Sequence, residues 1–466
     1  RCERRGSQLN EAQKREAKFI QMTRAPVKRL VCRMAVPTII SMLITSFYNM
    51  ADTFFVGRIN TSATAAVGVI FSLMAIIQAV GFFLGNGSGN YISRKLGEQD
   101  TEEASRMAAT GFFTAILVGI AFMALGFCFL TPLARLLGAT ETILPYAEDY
   151  MFYILIGTPY MTASLVLNNQ LRLQGNAFYA MIGLTSGAVI NIALDPLFIF
   201  VFHMGISGAA LATIISQFIS FCILLLGCNR KGGLPVRITM FSPSLKRYGA
   251  IVGGGLPSLC RQGLASVATV SMNIAAGPYG DAAIAAISIV MRVSNFAGSA
   301  LIGFGQGFQP VCGFNYGAKR FDRVRRAFWF CIRVSSVVLV AMAFAGYIWS
   351  PQIVALFRDD AKVLEIGAQA LRFQCLSFPL LGWIIICNML LQNIAKTMRA
   401  SILSMARQGL FFLPLIFTLP TFWGLTGVLA CQPLADAFAF LLAIPLGLSV
   451  LRELKNGERA YNSLLS

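Results

Sequence analysis

Long apolar runs recur along the whole chain, and they limit its fold more than any other feature. Residues 70–84, 108–130 and 334–348 are three of them. A helix that crosses a bilayer needs about 20 predominantly apolar residues. Backbone polar groups in lipid must be satisfied inside the segment, so such runs read as helices. Composition agrees: 56% of the 466 residues are apolar and 12% are charged, roughly half the charged fraction of a soluble domain. Membrane spans are expected at 30–56, 63–90, 106–130, 148–171, 179–202 and 206–227. A second set is expected at 248–276, 282–311, 326–350, 363–391, 400–421 and 424–450. The linker 228–247, with Gly232, Gly233, Pro235 and Pro243, separates the two sets. The chain therefore reads as an all-α membrane protein of two six-span lobes, 30–227 and 248–450.

The net charge of +18 would suggest a nucleic-acid partner in a soluble protein. Here the charges sit in short loops. Alternate loops hold Arg94, Lys95, Arg230, Lys231, Arg237, Lys246, Arg247, Lys319, Arg320, Arg323, Arg325 and Arg326, while the opposite loops hold little beyond Arg58, Arg135, Arg358 and Lys362. Positive residues collect on the cytoplasmic side, so both termini are expected there. No basic stripe with interleaved aromatics forms one face, which excludes a nucleic-acid reader. Residues 1–29 are polar and basic and lack the apolar core of a signal peptide, and 451–466 follows the last span; both are expected as cytoplasmic tails. The lone His203 falls in a predicted outer loop, and eleven cysteines are scattered without paired-ligand spacing. No metal cluster and no nucleophile with its base emerges, so neither an enzyme nor a cofactor is expected.

An internal repeat runs through the sequence. Pro37 and Pro257 stand 220 positions apart, as do Gly57 and Gly277, Ala65-Ala66 and Ala285-Ala286, and Arg106 and Arg326. Gly85, Gly87 and Gly97 match Gly305, Gly307 and Gly317 at the same spacing. Further on the offset slips by one or two, pairing Pro196 with Pro414 and Gly208 with Gly427. Such self-similarity marks a duplicated architecture. Six spans return the chain to its starting side, so the halves are expected as parallel repeats about an axis normal to the membrane. Transporters built this way bind substrate between repeats and alternate access by rocking them. The matched Pro37 and Pro257 read as a shared bend, or hinge, of the duplicated first helix.

Carboxylates deep inside the spans are scarce; Asp52, Asp195 and Asp436 are the clear cases. Each is costly when charged in lipid and normally faces the protein interior on an ion or proton path. Asn191 and Asp195 are four apart and share a helix face, and Thr213 on the next span can add a hydroxyl oxygen. Two carboxylates, an amide oxygen and a hydroxyl suit a hard cation such as Na⁺. A proton can take its place, because burial and a second carboxylate favour the neutral acid. In the second half Asp52 falls opposite Met272 and Asp195 opposite Leu413, so coupling is expected in the first half alone. Asp436 aligns near Gln217, and two roles are open to it: pairing with Arg407, Arg261 or Arg292, or meeting substrate.

The residues then resemble a known family. The first span runs Ala35-Val36-Pro37-Thr38-Ile39-Ile40, then Tyr48-Asn49-Met50-Ala51-Asp52 and Val56-Gly57-Arg58. The second ends Gly85-Asn86-Gly87-Ser88-Gly89-Asn90-Tyr91-Ile92-Ser93-Arg94-Lys95-Leu96-Gly97. The fifth carries Asn191-Ile192-Ala193-Leu194-Asp195-Pro196. The eighth ends Gly303-Phe304-Gly305-Gln306-Gly307-Phe308-Gln309-Pro310, followed by Asn315-Tyr316-Gly317-Ala318. Together these resemble the MATE (multidrug and toxic compound extrusion) transporters, in particular their bacterial MepA-like branch, over all twelve spans. The resemblance implies two pseudo-symmetric six-helix bundles in a V, in a bacterial inner membrane. It implies export of amphipathic, often cationic drugs against inward H⁺ or Na⁺, with a coupling site at Asp52, Asn191, Asp195 and Thr213. Tyr48 and Asn168 share an interior face with the acids and match polar positions of the family's first lobe. With Arg261, Arg292 and Asp436 they are the candidate cleft residues. The expected partners are small-molecule drugs or organic cations and the bilayer, with the protein acting as a monomer. A lipid-linked precursor flippase of the same superfamily is the alternative that Arg261 and Arg292 leave open, and a narrow metabolite exporter is another.

Overall fold

The computed structural model describes residues 2–230, 233–357 and 360–463. Lys231, Gly232 and Arg358, invoked above, lie outside the described residues, as do Arg1 and the last three residues of the expected tail. The first half comprises α2 (Val27–Gly57), α3 (Thr61–Gly97), α4 (Thr101–Cys128), the short α5 (Leu130–Leu136), α6 (Leu144–Leu173), α7 (Ala177–Pro196) and α8 (Gly205–Cys228). The second comprises α9 (Leu245–Ala276), α10 (Asp281–Gly317), α11 (Phe321–Ile348), the short α12 (Ser350–Ala355), α13 (Ala361–Asn393), α14 (Thr397–Met405) and α15 (Phe412–Ser463). A helix α1 (Cys2–Arg24) precedes them. Side chains start several of these helices. Asn60 caps α3 by accepting from the Ala63 amide at 2.7 Å, Asp100 caps α4 through Glu103, and Ser244 caps α9 through Arg247. Each satisfies an amide that has no partner in the first turn.

Among the described residues, ten stretches are long and apolar enough to cross a membrane. The last, Thr397–Ser463, makes two passes. At Gly424 the backbone takes φ 56°, ψ −136°, a conformation that only glycine adopts without strain. Beyond it Gly427 abuts the Leu419 carbonyl. In one continuous helix those residues would stand about 12 Å apart, so the chain folds back there. The twelfth span is α9, the repeat mate of α2. Its 32 residues are long enough, but Ser258, Arg261, Gln262 and Thr269 lower its apolarity. Leu117, Leu226, Val337 and Phe344 are more than half exposed, a distribution natural in lipid rather than in water.

The duplication extends to backbone geometry. Gln99 and Lys319 both take left-handed φ (63° and 56°), and so do Gly175 and Ala395 (81° and 62°), each pair 220 residues apart. Asn168 donates to the Ala180 carbonyl at 2.9 Å, and its mate Asn388 donates to Ala400 at 2.8 Å. The halves meet through their first two spans: α2 packs on α10, and α3 on α9. At the ends of α3 and α10, Gly97 and Gly317 abut each other. Residues that touch their own repeat mates lie on the pseudo-twofold axis, and both helices finish on the same side. The axis therefore runs along the bundle, as parallel repeats require. A side chain at either glycine would force the two helices apart.

The two expected tails are helical. The last span continues without a break to Ser463, and Glu458 pairs with Arg325 at 2.6 Å. Helix α1 lies against both halves: Lys18 Nζ donates to Asn176 Oδ1 at 2.7 Å, and Asn315 Nδ2 donates to the Met22 carbonyl at 3.0 Å. Amphipathic periodicity, hidden by the overall polarity of 1–29, carries this helix; Met22 is its buried face. Burial pushes the Lys18 ammonium down to about 7. An undocked α1 would hold that proton up to the ordinary lysine value near 10. Docking is therefore weakest below about pH 7, where the charge must be buried, and strengthens as pH rises from there. A spin label on Ala17 is expected to become less mobile between pH 6 and pH 9 in the wild type. It should show no such change in Lys18→Met.

Candidate functional site

The first half gathers its intramembrane acids at one point. Helix α2 presents Tyr48 and Asp52 one turn apart, α7 presents Asn191 and Asp195 one turn apart, α8 brings Thr213, and α6 brings Tyr150. Asp195 and Thr213 are fully buried, and Asn191 is 1% exposed. With its amide oriented to satisfy both ends, Asn191 donates to Asp195 Oδ2 at 3.0 Å and accepts from the Thr213 backbone amide at 3.2 Å. The Thr213 hydroxyl donates to the Ala209 carbonyl at 3.0 Å, which leaves its lone pairs free. Tyr48 and the buried Tyr150 stand within electrostatic range of both carboxylates. Asp52 Oδ1 and Asp195 Oδ1 are buried without a hydrogen-bond partner, and no described lysine or arginine pairs with either acid. Two acids share a buried space with no described basic side chain to offset their charge. Tyr150 was not legible as part of this group, because an isolated tyrosine in an apolar run carries no spacing signal.

The helix after Asp195 is irregular. Pro196 ends the α-helical pattern, and Leu197–Val201 continues as a π-turn. Proline removes one ladder bond and crowds the preceding turn, which accounts for the change. Pro37 and Pro257 both lie inside unbroken helices, α2 and α9.

In the second half the fully buried Asp436 is paired with Arg407. Its Oδ1 accepts from Arg407 Nε at 2.6 Å and Gln432 Nε2 at 2.9 Å, and its Oδ2 accepts from Ser377 Oγ at 2.8 Å. Of the three candidate arginines only Arg407 reaches it. Arg261 instead lines a cavity inside this half. Arg292 is exposed and lies outside that cavity's wall. It precedes by one turn Phe296, which packs edge-on against Phe47 of α2, so it sits on the α10 face turned to the other half. Asn168 donates its amide to the Ala180 carbonyl of α7, as its mate Asn388 does to Ala400 of α14, a packing contact of the duplicated fold.

One buried cluster had no counterpart in the sequence reading. Arg172, 1% exposed, donates from Nη1 to the Gln306 carbonyl at 3.0 Å and to Gln309 Oε1 at 2.6 Å. From Nη2 it donates to Asn86 at 3.2 Å and Asn169 at 2.6 Å. Arg172 lies one residue past the expected fourth span (148–171) and near the end of α6. The amides of the quoted motifs, Asn86, Gln306 and Gln309, were the available signal.

Duplicated six-span bundles that meet along an axis through the membrane, with uncompensated acids inside one of them, define a multi-pass membrane transporter. The MatE family model matches residues 37–197 and 257–418, two matches that begin 220 residues apart. The chain belongs to the MatE family of multidrug efflux transporters. It is 26% identical over 415 residues to the multidrug export protein MepA of Staphylococcus haemolyticus, covering 88% of this chain and 91% of the relative. To MepA of Staphylococcus aureus it is 25% identical over 423 residues, covering 90% and 93%. Its structure matches the outward-facing conformation of a multidrug resistance MATE family transporter with a TM-score of 0.88 at 25% identity, over 94% of this chain and 98% of the other.

Proposed function

We propose that this chain exports amphipathic drugs and couples export to inward movement of H⁺ or Na⁺ through Asp52, Asn191, Asp195 and Thr213. The observation that carries the reading is the pair of buried, unpartnered carboxylate oxygens with no described basic residue beside them. A buried charge without compensation is unstable, so the site is complete only with a proton or a cation. Both termini are placed in the cytoplasm, on the loop charges above. The glycine contacts and the Arg172 cluster then seal the cytoplasmic half of the interface between the lobes, and Pro37 and Pro257 are the candidate hinges for opening it. The duplicated second half lacks the acids, with Met272 and Leu413 in their places.

Purified protein in vesicles, loaded with a fluorescent drug and given a pH gradient or a sodium gradient separately, should move the drug under at least one of them. Movement at the same rate with neither gradient would refute coupling. In the same vesicles, with Cys2, Cys32, Cys128, Cys222 and Cys260 replaced, a cysteine at Lys246 should react from the cytoplasmic face only. The flippase alternative draws on Arg261 and Arg407, two arginines in one cavity, and predicts transport of a pyrophosphate lipid instead.

A further inference from the structure

Helices α9, α10, α13 and the α14–α15 segment enclose a cavity of about 300 Å³ within the second half. Its lining combines the apolar Met272, Val290 and Phe378 with the charged Arg261 and Arg407. No described carboxylate lines it. The one acid nearby, Asp436, is fully buried behind Arg407 and held there by Arg407 Nε, Gln432 and Ser377. That pairing leaves the terminal nitrogens of Arg407 available, since its side chain is still 27% exposed. Arg261 has no acidic partner and no hydrogen bond among the described residues. It stands sixteen residues into α9, about 24 Å along the helix and thus near mid-span. The Ser294 hydroxyl on the same wall is buried and unpartnered.

An unpaired arginine at that depth is costly and marks a ligand path. The duplicated fold does not call for it: 220 positions earlier, Arg261 and Arg407 correspond to Ser41 and Gly187. The backbone at Arg407 is also special. Residues Ala406–Leu410 form a π-turn, an inserted-residue distortion that recurs at functional sites and has no equivalent at the matching place in the first half. The coupling site of the first half thus holds acids without a described base, and this cavity holds a base, Arg261, without a described acid.

We infer that this cavity binds the oxyanion of a zwitterionic or anionic amphiphile, a carboxylate held by Arg261 and the free edge of Arg407, with the apolar body against Met272 and Phe378. This deepens the proposed export function by naming the substrate class, and it replaces the organic cation that the family resemblance implied. It also removes any competition between drug and coupling ion for the same acids.

Rhodamine B and its ethyl ester form the test pair, because they differ only in whether the carboxylate is free. Binding is measured by fluorescence polarisation in lipid nanodiscs, with empty discs subtracted and no gradient present. The wild type is expected to bind the acid about tenfold more tightly than the ester, the strength of one charge-assisted hydrogen bond. Arg261→Gln should remove that preference by weakening the acid alone, and Arg261→Lys should keep part of it. Equal or tighter binding of the ester, or an equal loss of both ligands in Arg261→Gln, overturns the inference. If Arg261→Gln does not fold, the wild-type ratio still decides. A failure of ion coupling would appear as export that ignores both gradients, and a failure of anion recognition as equal binding of acid and ester with no gradient present, so the two are separately visible.

Discussion

Asp195→Asn is expected to abolish gradient-driven drug export while leaving a folded protein in the membrane. The substitution keeps the shape and hydrogen-bonding reach of the side chain, so the contact with Asn191 on α7 can persist. What it removes is the ability to take up and release a proton or to neutralise a cation. Asp52 would remain, but alone it lacks the neighbour that makes binding and release responsive to occupancy. The expected loss is at least about tenfold in initial rate under either gradient, the scale of a single ionic hydrogen bond, with an unchanged elution profile on size exclusion. Asp52→Asn should fall in the same direction. The mates of these acids in the second half, Met272 and Leu413, show that the helices pack without them, which is why folding should survive. Export by Asp195→Asn at the wild-type rate under both gradients would make the acids structural and end the coupling proposal.

Arg172→Met is expected to loosen the contact between the lobes. The guanidinium makes four hydrogen bonds, two of them to α10 of the other half. Two effects oppose each other. Removing a buried charge that has no counter-ion relieves its desolvation cost, and whole buried ionic networks replaced by apolar residues are sometimes neutral or stabilising. Here the partners stay behind: Gln309, Asn86 and Asn169 would keep buried polar atoms with no donor. Each buried polar group left without its partner costs about 1–3 kcal/mol, and three are left, so the loss prevails. About 3 kcal/mol shifts the closed-to-open ratio more than a hundredfold. Glu98 and Arg320 are exposed residues beyond the ends of α3 and α10, on opposite sides of the Gly97–Gly317 contact. Spin labels there should show a short distance in the wild type and a longer, broader distribution in Arg172→Met. An unchanged distribution would mean that the glycine contacts alone hold the halves together.

The sequence by itself determined the number of spans, the duplication and the three intramembrane acids. Each of these follows from local or periodic rules: lipid demands helices of a minimum length, a repeat keeps its spacing, and an acid in an apolar run is conspicuous in one dimension. The i, i+4 spacing of Asn191 and Asp195 fixed their common face for the same reason. Two spans were harder, and for opposite reasons. Helix α9 is polar where it lines a cavity, and the last two spans are joined by a single left-handed glycine rather than a loop.

Tertiary structure decided which polar side chains meet. That Asp436 takes Arg407 and not Arg261 or Arg292 depends on how α14 and α15 cross and on a π-turn that moves Arg407 along its helix. That Arg172 bridges the lobes, and that α1 folds onto both of them, depends on surfaces created only when two bundles pack. A charged side chain looks the same in the sequence whether it faces water, a carboxylate or an empty cavity. The partner is chosen by helix packing across separations from 29 residues, at Asp436 and Arg407, to 158, at Lys18 and Asn176, and no local pattern encodes that distance.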